Sequence, residues 1–226
     1  ISQNDKVRAW ARGAGIAAAG RFEDLTVADE DVPVDWLLSV ANPGTIPEPL
    51  LALPTKGTIN FQDGPLPEYA GPNTPVWALM AGATEHGITW HLVAGRKDEG
   101  DILVAKRFAV APDETAFTLN AKCYAAGLEG FDTVLDQIEA DRLDTRPQDP
   151  SRRRFFKPTA RPDAAGRLDF DRPAAEVARM VRALDFGGYW NPLAAPKIKA
   201  GGRLLLVETA KPVETVSSAD PGTVLG

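Results

Sequence analysis

The chain has 226 residues, 44% of them hydrophobic and 25% charged, a globular balance that excludes a disordered chain. Its net charge of −6, from 31 acidic and 25 basic residues, argues against a general nucleic-acid binder and against DNA as a partner, because such proteins carry a basic surface. No run of about 20 apolar residues offers a membrane span, and the polar opening from Ile1 to Arg12 lacks the apolar core of a signal peptide.

Val7 to Ala11 reads as the last turns of a helix ended by Gly13 to Gly15. No strand precedes it, although an α/β domain ordinarily opens on one, so the sequence looks cut at its N-terminus. Asp35 to Val40 is a short apolar run stopped by Asn42-Pro43-Gly44, the pattern of a buried parallel strand followed by a breaker. Pro47 to Leu53 suits a short helix. Gly57 to Phe61 is a second strand that runs into the turn-rich loop Gln62 to Pro67. Within Asn73 to Gly82, the spacing of Val76, Trp77, Leu79 and Met80 predicts a helix. Gly87 to Val93 is a third strand, with His86 before it at an exposed turn, and Ile102 to Val110 is a fourth.

Asp113 suits the N-cap of a long helix. Its apolar face is Leu119, Cys123, Ala126, Phe131, Leu135 and Ile138, interrupted by Gly127 and Gly130. Cys123 is the only cysteine, so no internal disulfide can form. A buried thiol in mid-helix suits a reducing, cytoplasmic setting. Thr145 to Gly166, rich in Pro, Asp and Arg, reads as a linker. Its basic run, Arg152, Arg153, Arg154 and Lys157, is a solvated face or a contact to a phosphate-bearing substrate. Asp171 then caps a helix with Pro173 in its first turn, and Val177, Met180, Val181 and Leu184 form its apolar face. Arg203 to Thr209 is strand-like, and a further strand begins at Pro221 to Leu225. The order predicts an α/β fold with an open, mostly parallel, Rossmann-like sheet, followed by the start of a small β domain.

Two loops of such a sheet carry the chemistry, since ligands bind outside the carboxyl ends of its strands. One holds Asn60-Phe61-Gln62-Asp63-Gly64-Pro65-Leu66-Pro67 and the other Lys97-Asp98-Glu99-Gly100-Asp101. Residues two apart on a strand share a face, so Asn60 and Gln62 point into one crevice that Asp98 approaches from the second loop.

Those segments, with Tyr69-Ala70-Gly71 and Gly87-Ile88-Thr89 in the same order, resemble the formyltransferase family. The family pattern is Asn-x-His, a Leu-Pro loop, a Gly-Val-Thr strand and Asp-x-Gly. The resemblance covers nearly the whole chain. It implies a catalytic domain over residues 1–145, a linker and connecting helix over 146–190, and over 191–226 the start of a C-terminal β domain of OB type. It implies 10-formyltetrahydrofolate as formyl donor, with no metal, and an amine that attacks the formyl carbon to give a tetrahedral oxyanion. Asn60 then donates to that oxyanion. Asp98 holds a water or steers proton transfer and contributes to the folate site. Gly64, Pro65, Leu66 and Pro67 shape the loop and line the folate pocket.

The family's histidine falls on Gln62. A glutamine amide donates hydrogen bonds but exchanges no proton near neutral pH, so part of the histidine's work is lost. His91 on the neighbouring strand and Asp63 beside Gln62 are possible substitutes, although packing suits the first better and a turn hydrogen bond the second. The wording of the 63–71 loop resembles formylating domains of nonribosomal peptide or hybrid synthetases, which implies an aminoacyl acceptor on a carrier protein. Methionyl-tRNA is the alternative acceptor. A catalytically impaired binding module is the alternative from another class.

Overall fold

A computed structural model describes residues 1–21, 24, 33–42, 44–214 and 217–224. The N-terminal helix α1 (Asp5–Gly13) starts at Asn4, whose side chain accepts the N–H groups of Lys6 and Val7. Four strands, β1 (Trp36–Ser39), β2 (Gly57–Gln62), β3 (Glu85–Leu92) and β4 (Ile102–Ala109), form one open sheet in the order β1-β2-β3-β4. The short helix α2 (Glu48–Leu51) lies between β1 and β2, and α3 (Thr74–Met80) between β2 and β3.

The alternation along β2 and β3 decides which residues meet solvent and which meet the core. Ile59 and Phe61 of β2, with Ile88 and Trp90 of β3, face the long helix α4 (Ala116–Glu139) and bury against its Cys123, Ala126 and Val134. Gly127 and Gly130 do not weaken α4 without return. A Cβ on Gly127 would stand 2.5 Å from the Phe61 ring, and one on Gly130 3.2 Å from Trp90, so their absence lets helix and sheet approach closely. A second core joins α3 and α4 to α5 (Ala174–Ala183) through Val76, Leu79, Leu119, Ala183 and Leu184.

Several expectations need correction. The sheet is mixed rather than mostly parallel: β1 and β2 pair in parallel, whereas β2–β3 and β3–β4 are antiparallel. Short apolar runs carry no signal of direction, which is set by how the connecting loops fold back. Helix α4 is capped by Thr115 rather than Asp113, with Thr115 and Thr118 exchanging side-chain and backbone bonds. Helix α5 begins after Pro173, and no side chain caps it. His86 lies inside β3 and is fully buried, not at an exposed turn.

The stretch 145–166 is no free linker. The Ala70 N–H donates to the Arg154 carbonyl and the Phe156 N–H to the Ala70 carbonyl, and the Phe156 ring stacks on Trp77 at 5.4 Å. Three members of its basic run have internal partners: Arg152 pairs with Glu68, Arg153 with Glu99 at 3.0 Å, and Arg154 sits over the Phe156 ring. Beyond α5, β5 (Lys197–Ala200) and β6 (Arg203–Leu206) form an antiparallel hairpin, so the expected strand over 203–209 stops at Leu206. Residues 221–224 form a turn and irregular chain rather than a strand, and Leu225 lies outside the described residues.

Candidate active site

The register of β2 on β3 places Asn60 directly opposite His91, and Gln62 opposite Thr89. All four side chains therefore share the face turned away from α4. His91 Nδ1 lies 2.7 Å from the Leu92 carbonyl, which can only accept. That nitrogen must carry the proton, so Nε2 is the acceptor and takes a hydrogen bond from Asn60 Nδ2 at 3.2 Å. Burial pushes the His91 pKa down and keeps the ring neutral. Asp98 Oδ1 is 3.7 Å from His91 Nε2, beyond a hydrogen bond.

Because β3 runs antiparallel to β2, the Asp98 loop does not leave the rim where β2 ends. It folds back across the face and is pinned there. Asp98 Oδ2 accepts the Gly71 N–H at 2.8 Å, and its backbone carbonyl accepts Gln148 Nε2 at 3.1 Å. Asp98 itself is buried in the left-handed conformation with φ 60°. Asn60, Gln62, Asp63, His91 and Asp98 all line a single cavity of about 470 Å³, whose wall also includes Ile46, Leu51 and Val76.

Gln62 is brought to the same cavity, but its amide serves the loop. Nε2 donates to the carbonyls of Gly71 at 2.9 Å and Tyr69 at 3.2 Å, and lies 3.4 Å from Asp63 Oδ1. These acceptors fix which end of the amide is nitrogen. Gly64, Pro65, Leu66 and Pro67 are buried but stand apart from that cavity. They form a loop braced by Thr89, whose hydroxyl donates to the Gly64 carbonyl and accepts the Leu66 N–H, both at 3.0 Å. Pro65, Leu66 and Pro67 flank a separate cavity of about 300 Å³ instead. The loop thus supports the site from outside the cavity that Asn60 and Asp98 line. Cys123 is buried behind the site with its Sγ 3.6 Å from the Asp63 carbonyl, and burial pushes its thiol far up. Among the described residues no cluster of three or more His, Cys, Asp or Glu side chains is arranged to hold a metal ion. None of their helices is long and apolar enough to cross a membrane.

His86 was the residue the sequence misplaced most. Its Nε2 donates to the Asp63 carbonyl at 2.9 Å, its Nδ1 has no partner among the described residues, and burial pulls its pKa down to about 4. A group whose folded pKa lies below its unfolded value of 6.5 loses stability as pH falls through that window. Asp63 acts oppositely: burial raises it from 3.8 to about 6, so acidification through that window favours the fold. Each contribution is at most roughly 3 kcal/mol, and they offset each other. Asp63→Asn removes only the second. The variant is expected to lose roughly 3 kcal/mol more than the natural chain between pH 7 and pH 4, measured by urea denaturation. Parallel pH curves for the two proteins would refute this.

The family model described as formyl transferase matches residues 22–135. A methionyl-tRNA formyltransferase of Myxococcus xanthus (strain DK1622) is 36% identical over 180 residues, which is 80% of this chain and 54% of the relative. The chain thus spans about half the length of that relative. Among solved structures, a 4-N formyltransferase from Francisella tularensis superposes with a TM-score of 0.65 at 21% identity, covering 80% of this chain and 72% of the other. HypX from Aquifex aeolicus in complex with tetrahydrofolic acid gives a TM-score of 0.66 at 22% identity, covering 84% of this chain and 32% of the other.

Proposed function

The chain belongs to the formyl transferase family, and from that premise we propose that it moves a formyl group from 10-formyltetrahydrofolate to the amine of an aminoacyl unit. The observation that carries this reading is the meeting of Asn60 and Asp98 at the same ring nitrogen of His91 in one cavity. The cavity suits the donor. Its volume of about 470 Å³ is in the range that encloses a small organic ligand, and it combines apolar walls with a few convergent polar groups. When bound, the donor supplies an activated one-carbon unit.

The chain's own residues do the rest. Asn60 spends one Nδ2 hydrogen on His91 and keeps the second for the oxygen on which charge develops. His91, neutral and tied at both ring nitrogens, orients Asn60. Asp98 is fixed through Oδ2, which leaves Oδ1 to hold a water or the attacking amine. The single buried thiol suits a cytoplasmic setting.

The acceptor proposed is an aminoacyl group on a carrier protein, supported by the net charge of −6 and by the 63–71 loop wording. The 36% identity to a methionyl-tRNA formyltransferase favours methionyl-tRNA as the second reading. In both, residues 1–145 form the catalytic portion and 191–226 begin an OB-like one. The test is formyl transfer from 10-formyltetrahydrofolate to an aminoacyl-pantetheine thioester and to initiator methionyl-tRNA. Product with either is expected, and Asp98→Asn should reduce turnover ~10²- to 10⁴-fold. No product from the natural chain, with turnover gained in Gln62→His, would favour the impaired binding module instead.

A further inference from the structure

We propose that Asp63 carries the proton-transfer step for which residue 62 offers no titratable group. This rests on the formyl-transfer reading above and extends it to a residue that the family pattern does not assign. The other titratable groups on the cavity wall are less suited. Both His91 nitrogens are engaged. One Asp98 oxygen is committed to the Gly71 N–H. Tyr124 is pushed up by burial and by Asp63 itself. Arg96 and Lys97 also line the cavity but are exposed.

Asp63 differs in having one carboxylate oxygen contacted and the other without a hydrogen bond to a described residue. The Thr74 hydroxyl donates to the Asp63 carbonyl at 2.6 Å and shares that hydrogen with Oδ1 at 3.1 Å, and Oδ1 lies 3.4 Å from Gln62 Nε2. Asp63 Oδ2 makes no hydrogen bond to a described residue, and Asp63 lines the cavity. Gln62, whose two amide hydrogens go to the Gly71 and Tyr69 carbonyls, fixes the loop beside this carboxyl and exchanges no proton itself. The groups facing Asp63 are Asp98 and Lys97 from the loop after β3, Thr74 from α3, His86 from β3 through the Asp63 carbonyl, and Cys123 and Tyr124 from α4. Burial outweighs them and brings the carboxyl to about 6, where it can both take and return a proton near neutral pH.

The step balances without an added reactant. The amine nitrogen bonds to the formyl carbon while the carbonyl pair moves to oxygen. The proton released by that nitrogen passes to the Asp63 carboxylate. As the carbonyl reforms, the bond from carbon to donor nitrogen breaks, its pair stays on that nitrogen, and the proton on Asp63 goes to it. One hydrogen has moved from amine to donor, and the carboxylate is restored.

Three measurements on the full-length protein test the proposal. Carbon-13 NMR of aspartate-labelled protein is expected to show a carboxyl titrating near pH 6 that disappears in Asp63→Asn. Asp63→Asn should keep binding of 5-formyltetrahydrofolate within threefold. It should also lower kcat ~10²-fold or more and remove the acidic limb of the kcat/KM profile, measured with whichever acceptor probe the natural protein formylates. Thr74→Val, which removes a donor to the same carboxylate, should move that limb to higher pH. Ordinary titration of every aspartate, or turnover within threefold and an unchanged limb in Asp63→Asn, overturns the proposal while folate binding persists. Absence of folate binding in the natural protein overturns the formyl-transfer reading and this proposal together.

Discussion

Asn60→Ala is expected to lower kcat/KM for formyl transfer ~10²- to 10³-fold, the usual cost of removing one donor aimed at a developing oxyanion. The effect should fall on turnover rather than on folate affinity, because Asn60 has a stronger role once charge appears on the oxygen than while the carbonyl is neutral. The variant also strips His91 Nε2 of its donor. A buried acceptor left unpaired costs ~1–3 kcal/mol, so a modest loss of stability is expected alongside. The check is paired: initial rates with saturating donor, and 5-formyltetrahydrofolate binding by calorimetry. Unchanged turnover with intact binding would remove Asn60 from the chemistry, whereas a loss confined to binding would reassign it to holding the donor.

The second large effect belongs to a residue without a side chain. Gly71 sits at φ 94°, and a Cβ there would stand 2.1 Å from the Phe156 carbonyl oxygen. Its N–H anchors Asp98 Oδ2 at 2.8 Å, and its carbonyl receives Gln62 Nε2 at 2.9 Å. An alanine is opposed twice, by backbone conformation and by contact with another backbone that cannot swing aside. Gly71→Ala is therefore expected to cost ~4 kcal/mol or more, at the extreme of single substitutions. It should also loosen Asp98 and Gln62 together. Denaturant unfolding measures the first, and loss of turnover under conditions where the variant remains folded measures the second. Stability within about 1 kcal/mol of the natural chain would mean that the 154–156 segment gives way readily. Asp98 would then not depend on that anchor.

Much of this site was readable beforehand because it rests on local rules. The period of two along Gly57 to Gln62 already put Asn60 and Gln62 on one face, and Thr89 and His91 follow the same parity in the next strand. The tie from His91 to Asn60 was not readable, because it depends on which residue of β3 stands opposite Asn60. Register is a property of the pair and not of either strand. The buried His86 escaped for a related reason. Its neighbours Glu85 and Gly87 look like a turn, and only the fold of the 63–71 loop over β3 encloses it.

The basic run shows the same limit in electrostatics. Arg152 and Arg153 read as free charge until their distant partners, Glu68 and Glu99, come into range. What the amino-acid order alone determined was the kind of protein: an open α/β sheet, and the strand carrying Asn60 and Gln62 on one face. What tertiary structure alone decided was direction and partnership. These include the antiparallel run of β3, the folding back of the Asp98 loop, the turning of Gln62 towards the backbone and the placing of Asp63 on the cavity wall. Periodicity and propensity act through near neighbours in the chain. Strand direction, register and hydrogen-bond choice are settled by contacts between segments far apart in it.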